Sequence, residues 1–172
     1  MSKTTERWLA GPVEKIPGLL QPVAHALLQA EKEIRVMMIG FNEDNLWVRP
    51  GEVASIGFHL QHIKGVLDRL FTYARGEALS SEQLTYLKAE GEANGSVKAM
   101  LEGITAQVGL SLLQLEQTDE NTLTAFRGVG RKQTPSTVIG LLFHAAEHTM
   151  RHVGQMLVTV KLLPSCDGGE RA

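Results

Sequence analysis

Three histidines stand at four-residue spacing in the segment HAAEHTMRHVGQ, near the end of the sequence. They are His144, His148 and His152. Residues four apart lie on the same face of an α-helix, so their imidazoles are expected to form one row. Imidazole nitrogen is a ligand for zinc, nickel, iron and copper, and this row is therefore a candidate metal-binding face.

A second group, HLQH, contains His59 and His62, which are three residues apart and also neighbours on a helix. Both groups lie along apolar helical stripes and are expected to face inward, with His59 nearer the centre of its stripe than His62. Inward groups on two helices can meet inside a bundle, where metal sites are built from facing side chains. Spacing alone leaves every histidine of both groups open as a ligand.

Three neutral imidazoles would leave one coordination position for water or substrate, as in a catalytic metal site. The ion would then act as a Lewis acid and lower the pKa of bound water. A fourth protein ligand would instead indicate a structural site. The segment HAAEH also matches the inverted zincin protease pattern, but Glu147 falls on the polar side of the helix, which argues against a protease.

Other polar residues near the histidines could contribute to binding. Gln155 follows His152 by about one helical turn, so it could hydrogen-bond a ligand or pack. Glu147 is predicted to pair with Arg151 on the surface. The loop RGVGRK, residues 127–132, carries several cations and could bind a carboxylate or phosphate, although a solvated charged loop is the simpler interpretation.

Helical periodicity predicts the elements that position these groups. The first helix is expected over about Gly18–Ile39 and the second over about Val53–Ala74. A third begins near Ser81, behind the capping-box pattern SSEQ, and its apolar stripe continues to Leu115. A break or kink is expected before that stripe, at Gly91 and Gly95.

The fourth predicted helix has Thr134 as its cap and Pro135 at its first position, and it runs to about Leu162 before Pro164. A short alternation over 122–129 could be extended, but no partner strand is evident. Four amphipathic helices with short to medium connections predict an all-α fold, a four-helix bundle. A three-helix core with a dimerising helix is the alternative.

The composition predicts one domain over residues 1–172, with a core over about 15–163 and a flexible tail over 164–172. That tail holds the single cysteine, Cys166, so metal ligands must be nitrogen and oxygen atoms.

No apolar run is long enough for a membrane span, and the N-terminus is charged where a signal peptide is apolar, so we expect a cytoplasmic protein without membrane contact. A net charge of −2 and the lack of a basic stripe predict no nucleic-acid partner.

The two histidine segments resemble the DinB-like superfamily of metal-binding four-helix bundles. RPGEVASIGFHLQHI is similar to the family's proline-containing loop, the serine that opens the second helix and the histidine that follows. EHTMRHVGQ is similar to its closing signature, and the resemblance covers about residues 15–163. This register implies His62, His148 and His152 as metal ligands. His59 and His144 are then implied to support the ligands or to contact substrate, as is expected of Gln155.

The resemblance implies an up-down-down-up bundle that holds a divalent metal, commonly zinc or nickel, with solvent completing the site. Some members are similar to S-transferases that use low-molecular-weight thiols such as bacillithiol, or to mycothiol-dependent maleylpyruvate isomerase. A metal-dependent hydrolase or thiol S-transferase acting on a small molecule is the function implied. The alternative is a non-catalytic, metal-stapled binding or stress-related protein. A homodimer is expected in either case, since apolar bundle faces can pair between chains.

Overall fold

The protein is mostly helical. The computed structural model describes residues 5–163, so the predictions for Pro164, Cys166 and the tail over 164–172 lie outside the described residues. A two-stranded antiparallel sheet, β1 Phe126–Val129 and β2 Thr134–Thr137, precedes the last helix. The helices within the described residues are α1 Gln21–Met37, α2 Ile56–Ala74, α3 Ser81–Ala89, α4 Val97–Gln117 and α5 Val138–Leu162.

Local capping explains where the early helices begin. The Ser55 side chain accepts a hydrogen bond from the backbone N–H of Phe58 and so caps α2. At the start of α3, Ser80 and Gln83 form the reciprocal capping box that the pattern SSEQ predicts. Pro22 lies in the first turn of α1, where its missing N–H leaves no helical bond unmade. The predicted capping box of α3 is confirmed.

The segment predicted as one third helix forms two helices, α3 and α4. Gly91 and Gly95 both have positive φ, of 94° and 76°, a conformation that no α-helix contains. The predicted break at these glycines is confirmed. After it, Ser96 caps α4 by accepting from the backbone N–H of Ala99.

Thr134 and Pro135 do not begin the last helix, contrary to the prediction. Both lie in β2, which pairs along its length with β1. The alternating segment over 122–129, for which the sequence shows no partner strand, therefore contributes β1. It pairs with the residues that were predicted to begin the last helix. Proline is acceptable here because an edge strand leaves one side of its backbone without ladder hydrogen bonds. The true cap of α5 is Thr137, whose side chain accepts from the N–H of Gly140.

The apolar core lies among the four long helices. Helix α5 contacts α1 and α2, and α4 contacts the same two helices, while the short α3 rests on α2. Burial of one large aliphatic side chain contributes roughly 1.5–3 kcal/mol, so this core dominates folding. No helix within residues 5–163 is both long and apolar enough to cross a membrane. Fully buried core residues include Leu27, Ile34, Leu60, Ile63, Leu67, Ile104, Leu115, Leu142 and Met156.

Candidate metal centre

The histidines of α2 and α5 meet where these two helices pack together. The Nε2 atom of His148 lies 3.0 Å from Nε2 of His62 and 3.0 Å from Nε2 of His152. When two nitrogens bind the same zinc ion at about 2.0–2.1 Å in a tetrahedral arrangement, they are about 3.3 Å apart. Both distances to His148 are therefore close to the spacing that ligands of a single ion require, and the ligand atoms of the three histidines all lie within 4.8 Å of one another.

The two helices hold these rings at different depths. His152 is buried at 9% exposure, whereas His62 and His148 are partly exposed. The ring centroids of His62 and His148 lie 4.6 Å from that of His152. The nitrogen cluster is thus fixed by the core on one side and is close to solvent on the other.

The second nitrogen of His62 is bound by a buried acid. Nδ1 of His62 lies 2.7 Å from Oε2 of Glu90, the residue that directly follows α3. Nη1 of Arg69 donates to the other carboxylate oxygen at 2.5 Å, and both partners of this ion pair are buried. Burial alone would raise the pKa of Glu90, but the hydrogen bonds from His62 and Arg69 outweigh burial and lower it. The carboxylate is therefore ionised and can only accept.

Glu90 thereby determines the tautomer of His62. Nδ1 must carry the proton that Glu90 accepts, so Nε2 of the neutral ring has a lone pair directed at the other imidazoles. Nε2 of His148 lies within hydrogen-bond distance of two nitrogens but has at most one proton to donate. A cation among the three nitrogens would accept every lone pair, so this donor set fits a metal ion.

The connection between α3 and α4, residues 90–96, is bound by α2 at a second point. The Gln61 side-chain carbonyl accepts from the N–H of Gly91 at 2.7 Å, and its amide donates to the carbonyl of Glu92 at 3.1 Å. Adjacent residues of α2, Gln61 and His62, therefore both contact this connection. This attachment and the ion pair with Arg69 together hold Glu90 beside His62.

His152 is supported by a second buried histidine. Its Nδ1 lies 2.8 Å from Nδ1 of the buried His59. Burial, followed by repulsion from His62, lowers the pKa of His59 to about 4. Burial and the neighbouring imidazoles lower the pKa of His152 to about 3, and burial lowers that of His148. These rings are neutral at pH 7, which is the form that binds a metal.

His59 lies next to the converging nitrogens without joining them. Its contact is with Nδ1 of His152, the nitrogen that faces away from the cluster. Within residues 5–163, the possible metal ligands that lie together with His62 and His152 are limited to His148, so His59 is not one of them. Gln155, also predicted near the site, is exposed, and with His59 it lines a cavity of about 450 Å³.

His144, at the outer end of the row, is exposed. Its Nδ1 lies 2.7 Å from Oε1 of Glu147, and Oε2 of that carboxylate accepts from Arg151 at 2.5 Å. The predicted surface pair of Glu147 and Arg151 is confirmed. His144 and Glu147 also form, with His148, a second and more exposed group of possible ligands.

Glu90 is the site residue that sequence reasoning missed. It is 28 residues from His62 and lies at the end of a short helix, so no local spacing relates the two. Arg69 offers a partial signal, because it follows His62 by two helical turns on the same face. A cation on an inward face needs an acidic partner, but the sequence does not indicate which acid supplies it.

Comparisons with known proteins identify a family and a similar fold. A sequence model described as the DinB superfamily matches residues 26–156, a span that includes every histidine of the centre. The comparison with curated proteins found no match. The chain is similar to the crystal structure of a conserved protein from Enterococcus faecalis, with a TM-score of 0.69 and 17% identity, over 84% of this chain and 96% of that one. At this identity the similarity concerns the fold alone.

Proposed function

The chain belongs to the DinB superfamily, and from that premise we propose that His62, His148 and His152 bind one divalent metal ion, zinc or nickel, for catalysis. The convergence of their Nε2 atoms carries this proposal. The bonds from Nδ1 of His62 to Glu90 and from Nδ1 of His152 to His59 add support. Metal-binding histidines commonly have their other nitrogen hydrogen-bonded in this way.

The proposed reaction is hydrolysis or the transfer of a low-molecular-weight thiol onto a small electrophile. When bound, the ion would supply a Lewis acid that makes water or a thiol nucleophilic at neutral pH. No fourth ligand from residues 5–163 joins the three imidazoles, which favours an open position. Arg151 and Gln155 border the 450 Å³ cavity beside His59, which none of the three proposed ligands lines, so they would contact a part of the substrate away from the ion.

The second candidate is a non-catalytic role as a dimeric binding or stress-related protein. The metal would then be structural and would cross-link helices. The ligands come from two helices, α2 and α5, so one ion would join them. Exposed apolar side chains one helical turn apart on α5, Val158 at 58% and Leu162 at 62%, favour a homodimer. Sedimentation velocity of the purified protein tests the dimer, and a monomer at all concentrations would exclude it.

We further propose that α1, α2, α4 and α5 form the up-down-down-up bundle that the family resemblance implies. The contacts of α5 and α4 with both α1 and α2 support this topology. The side-by-side pairs of His59 with His152 and of His62 with His148 support an antiparallel packing of α2 and α5. An experimental structure of the protein would test the order and direction of the helices.

Elemental analysis of the purified protein tests metal binding. We expect an equimolar amount of zinc or nickel in the wild type and a loss of about tenfold or more in His148→Ala, because one of three ligands is removed. His25→Ala is the matched control, since His25 contacts Gly11 on another part of the molecule. Circular dichroism checks that both variants fold, and wild-type metal content in folded His148→Ala would exclude the assignment.

Metal removal separates the two candidate functions. The metal-depleted protein is assayed for ester hydrolysis and for thiol transfer from several low-molecular-weight thiols, before and after zinc or nickel is returned. A catalytic metal should restore turnover, with a modest change in thermal stability. If the metal restores a large loss of melting temperature and none of the reactions, the structural candidate is correct.

A further inference from the structure

A cavity of about 630 Å³ lies at the end of α2 remote from the histidines. It is bordered by the end of α2, the start of α3 and the β1–β2 hairpin. Tyr73, which lines it, is about 16 Å along the helix from His62 at 1.5 Å per residue. A cavity of this size accommodates a small organic molecule, and its position keeps such a molecule away from the metal centre.

One side of this cavity is apolar. Phe126 of β1 is 62% exposed and Leu84 of α3 is 40% exposed, and both line the cavity with Leu79. An aromatic ring and aliphatic side chains around one concave surface provide contact area for the apolar body of a ligand.

The hairpin adds positive charge to the same cavity. Arg127 is held in place, because its Nε donates to the carbonyl of Ala74 at 2.8 Å and its Nη1 to that of Phe126 at 2.8 Å. Arg131 makes no ion pair or hydrogen bond with any residue in the described part of the chain. The acid that lines the cavity, Glu77, already pairs with Arg75. Within residues 5–163, Arg127 and Arg131 therefore line the cavity without an acidic partner of their own.

We propose that this cavity binds an organic anion with an aromatic or aliphatic body. Its carboxylate or phosphate would pair with Arg127 and Arg131, and its body would lie against Phe126 and Leu84. The planar guanidinium group forms two-point hydrogen bonds with carboxylate and phosphate alike. Lys132 is next to Arg131 but does not line the cavity. Binding therefore depends on Arg131 and not on the overall charge of the loop.

Titration of the nitrogen-15-labelled protein by NMR tests the proposal with three probes: 2-naphthoate, 2-naphthyl phosphate and the neutral 2-naphthalenemethanol. At least one anion should shift the amide signals of the hairpin and bind about tenfold more tightly than the alcohol, since charge-assisted hydrogen bonds are the stronger ones. The two anions show which headgroup the arginines prefer. Absence of shifts with all probes, or equal affinity for the alcohol, would overturn the proposal.

Two matched variants remove one positive charge each from the hairpin tip. Arg131→Gln should weaken binding of the preferred anion about tenfold, whereas Lys132→Gln should change it by less than about twofold. Both residues are exposed, so the variants are expected to fold, and their amide spectra verify this. Equal effects of the two substitutions would show non-specific charge attraction and would overturn the assignment to Arg131.

Discussion

Replacement of Gly65 by alanine would test whether Glu90 holds the metal centre together. Gly65 lies inside α2, and a Cβ atom added there would be 2.2 Å from Oε1 of Glu90, 2.7 Å from Nη1 of Arg69 and 2.8 Å from Cε1 of Tyr86. Real Cβ atoms do not approach other atoms so closely, so the carboxylate must move. The Oε2 atom of that carboxylate is the acceptor for Nδ1 of His62. The substitution therefore disturbs the metal centre without changing any proposed ligand.

The expected magnitudes follow from these contacts. Alanine gains about 1 kcal/mol over glycine in a helix interior. Loss of a hydrogen bond to a buried charged group costs about 1.5–3 kcal/mol, so Gly65→Ala should lower the free energy of unfolding by about 0.5–2 kcal/mol overall. Loss of the partner that orients a metal-binding histidine typically lowers metal affinity about 10–100-fold.

The assay is a zinc titration in competition with a chromophoric chelator, with urea unfolding of the metal-free protein alongside. Gly109→Ala is the matched control, because Gly109 lies inside α4 and an added Cβ meets nothing within 4 Å. That variant should be up to about 1 kcal/mol more stable and keep wild-type affinity. The reasoning is refuted if Gly65→Ala is stabilised like the control and binds zinc as tightly as the wild type.

Three further predictions concern the same centre and its surroundings. Burial, followed by repulsion from His62, holds the pKa of His59 at about 4, below its ordinary value of 6.5, so the unfolded chain takes up protons that the folded protein does not. The free energy of unfolding of the metal-free protein should therefore fall as the pH drops from about 6.5 toward 4, and urea titrations that show constant stability would contradict this. His62→Ala should lower zinc affinity more than about a hundredfold, because it removes a proposed ligand. His59→Phe should lower zinc affinity only about tenfold, because His59 contacts the ligand His152 and not the ion. Equal losses of affinity in competition titrations would indicate that both residues are ligands. Gly57→Ala should lower the free energy of unfolding by about 1–3 kcal/mol, because its Cβ would lie 2.7 Å from ring atoms of Trp47. A melting temperature equal to that of the wild type would contradict this prediction.

The helical elements could be predicted where the sequence carries both periodicity and a local stop signal. Gly91 and Gly95 have the positive φ that their residue type permits, so the break before α4 was predictable. Thr134 and Pro135 are a good helix start by local preference, yet pairing with β1 takes these residues into a strand. The deciding interaction is between two segments, and a reading of either segment alone does not reveal it.

The candidate site likewise has features that helical spacing predicts and features that it does not. His148 and His152 come together because one helix carries both, and helical spacing is enough to predict that. The contact of His62 with Glu90 depends on how α3 lies against α2, which no periodicity describes. The spacing argument left His59 open as a ligand, and only the three-dimensional arrangement places its Nδ1 against Nδ1 of His152.

The connection between α3 and α4 is where we expect the histidine cluster to open locally. Polar contacts from α2 hold this connection: the hydrogen bonds of Gln61, the contact of His62 with Glu90 and the ion pair of Arg69 with Glu90. We expect the connection to detach at a lower free energy than global unfolding requires, and Glu90 would then leave both His62 and Arg69. The N–H of Gly91, bonded to Gln61, becomes open to exchange with solvent deuterium in the same event. We expect the exchange rate of this amide in the wild type to follow how often the imidazole of His62 loses its fixed orientation, and Gly65→Ala to raise that rate.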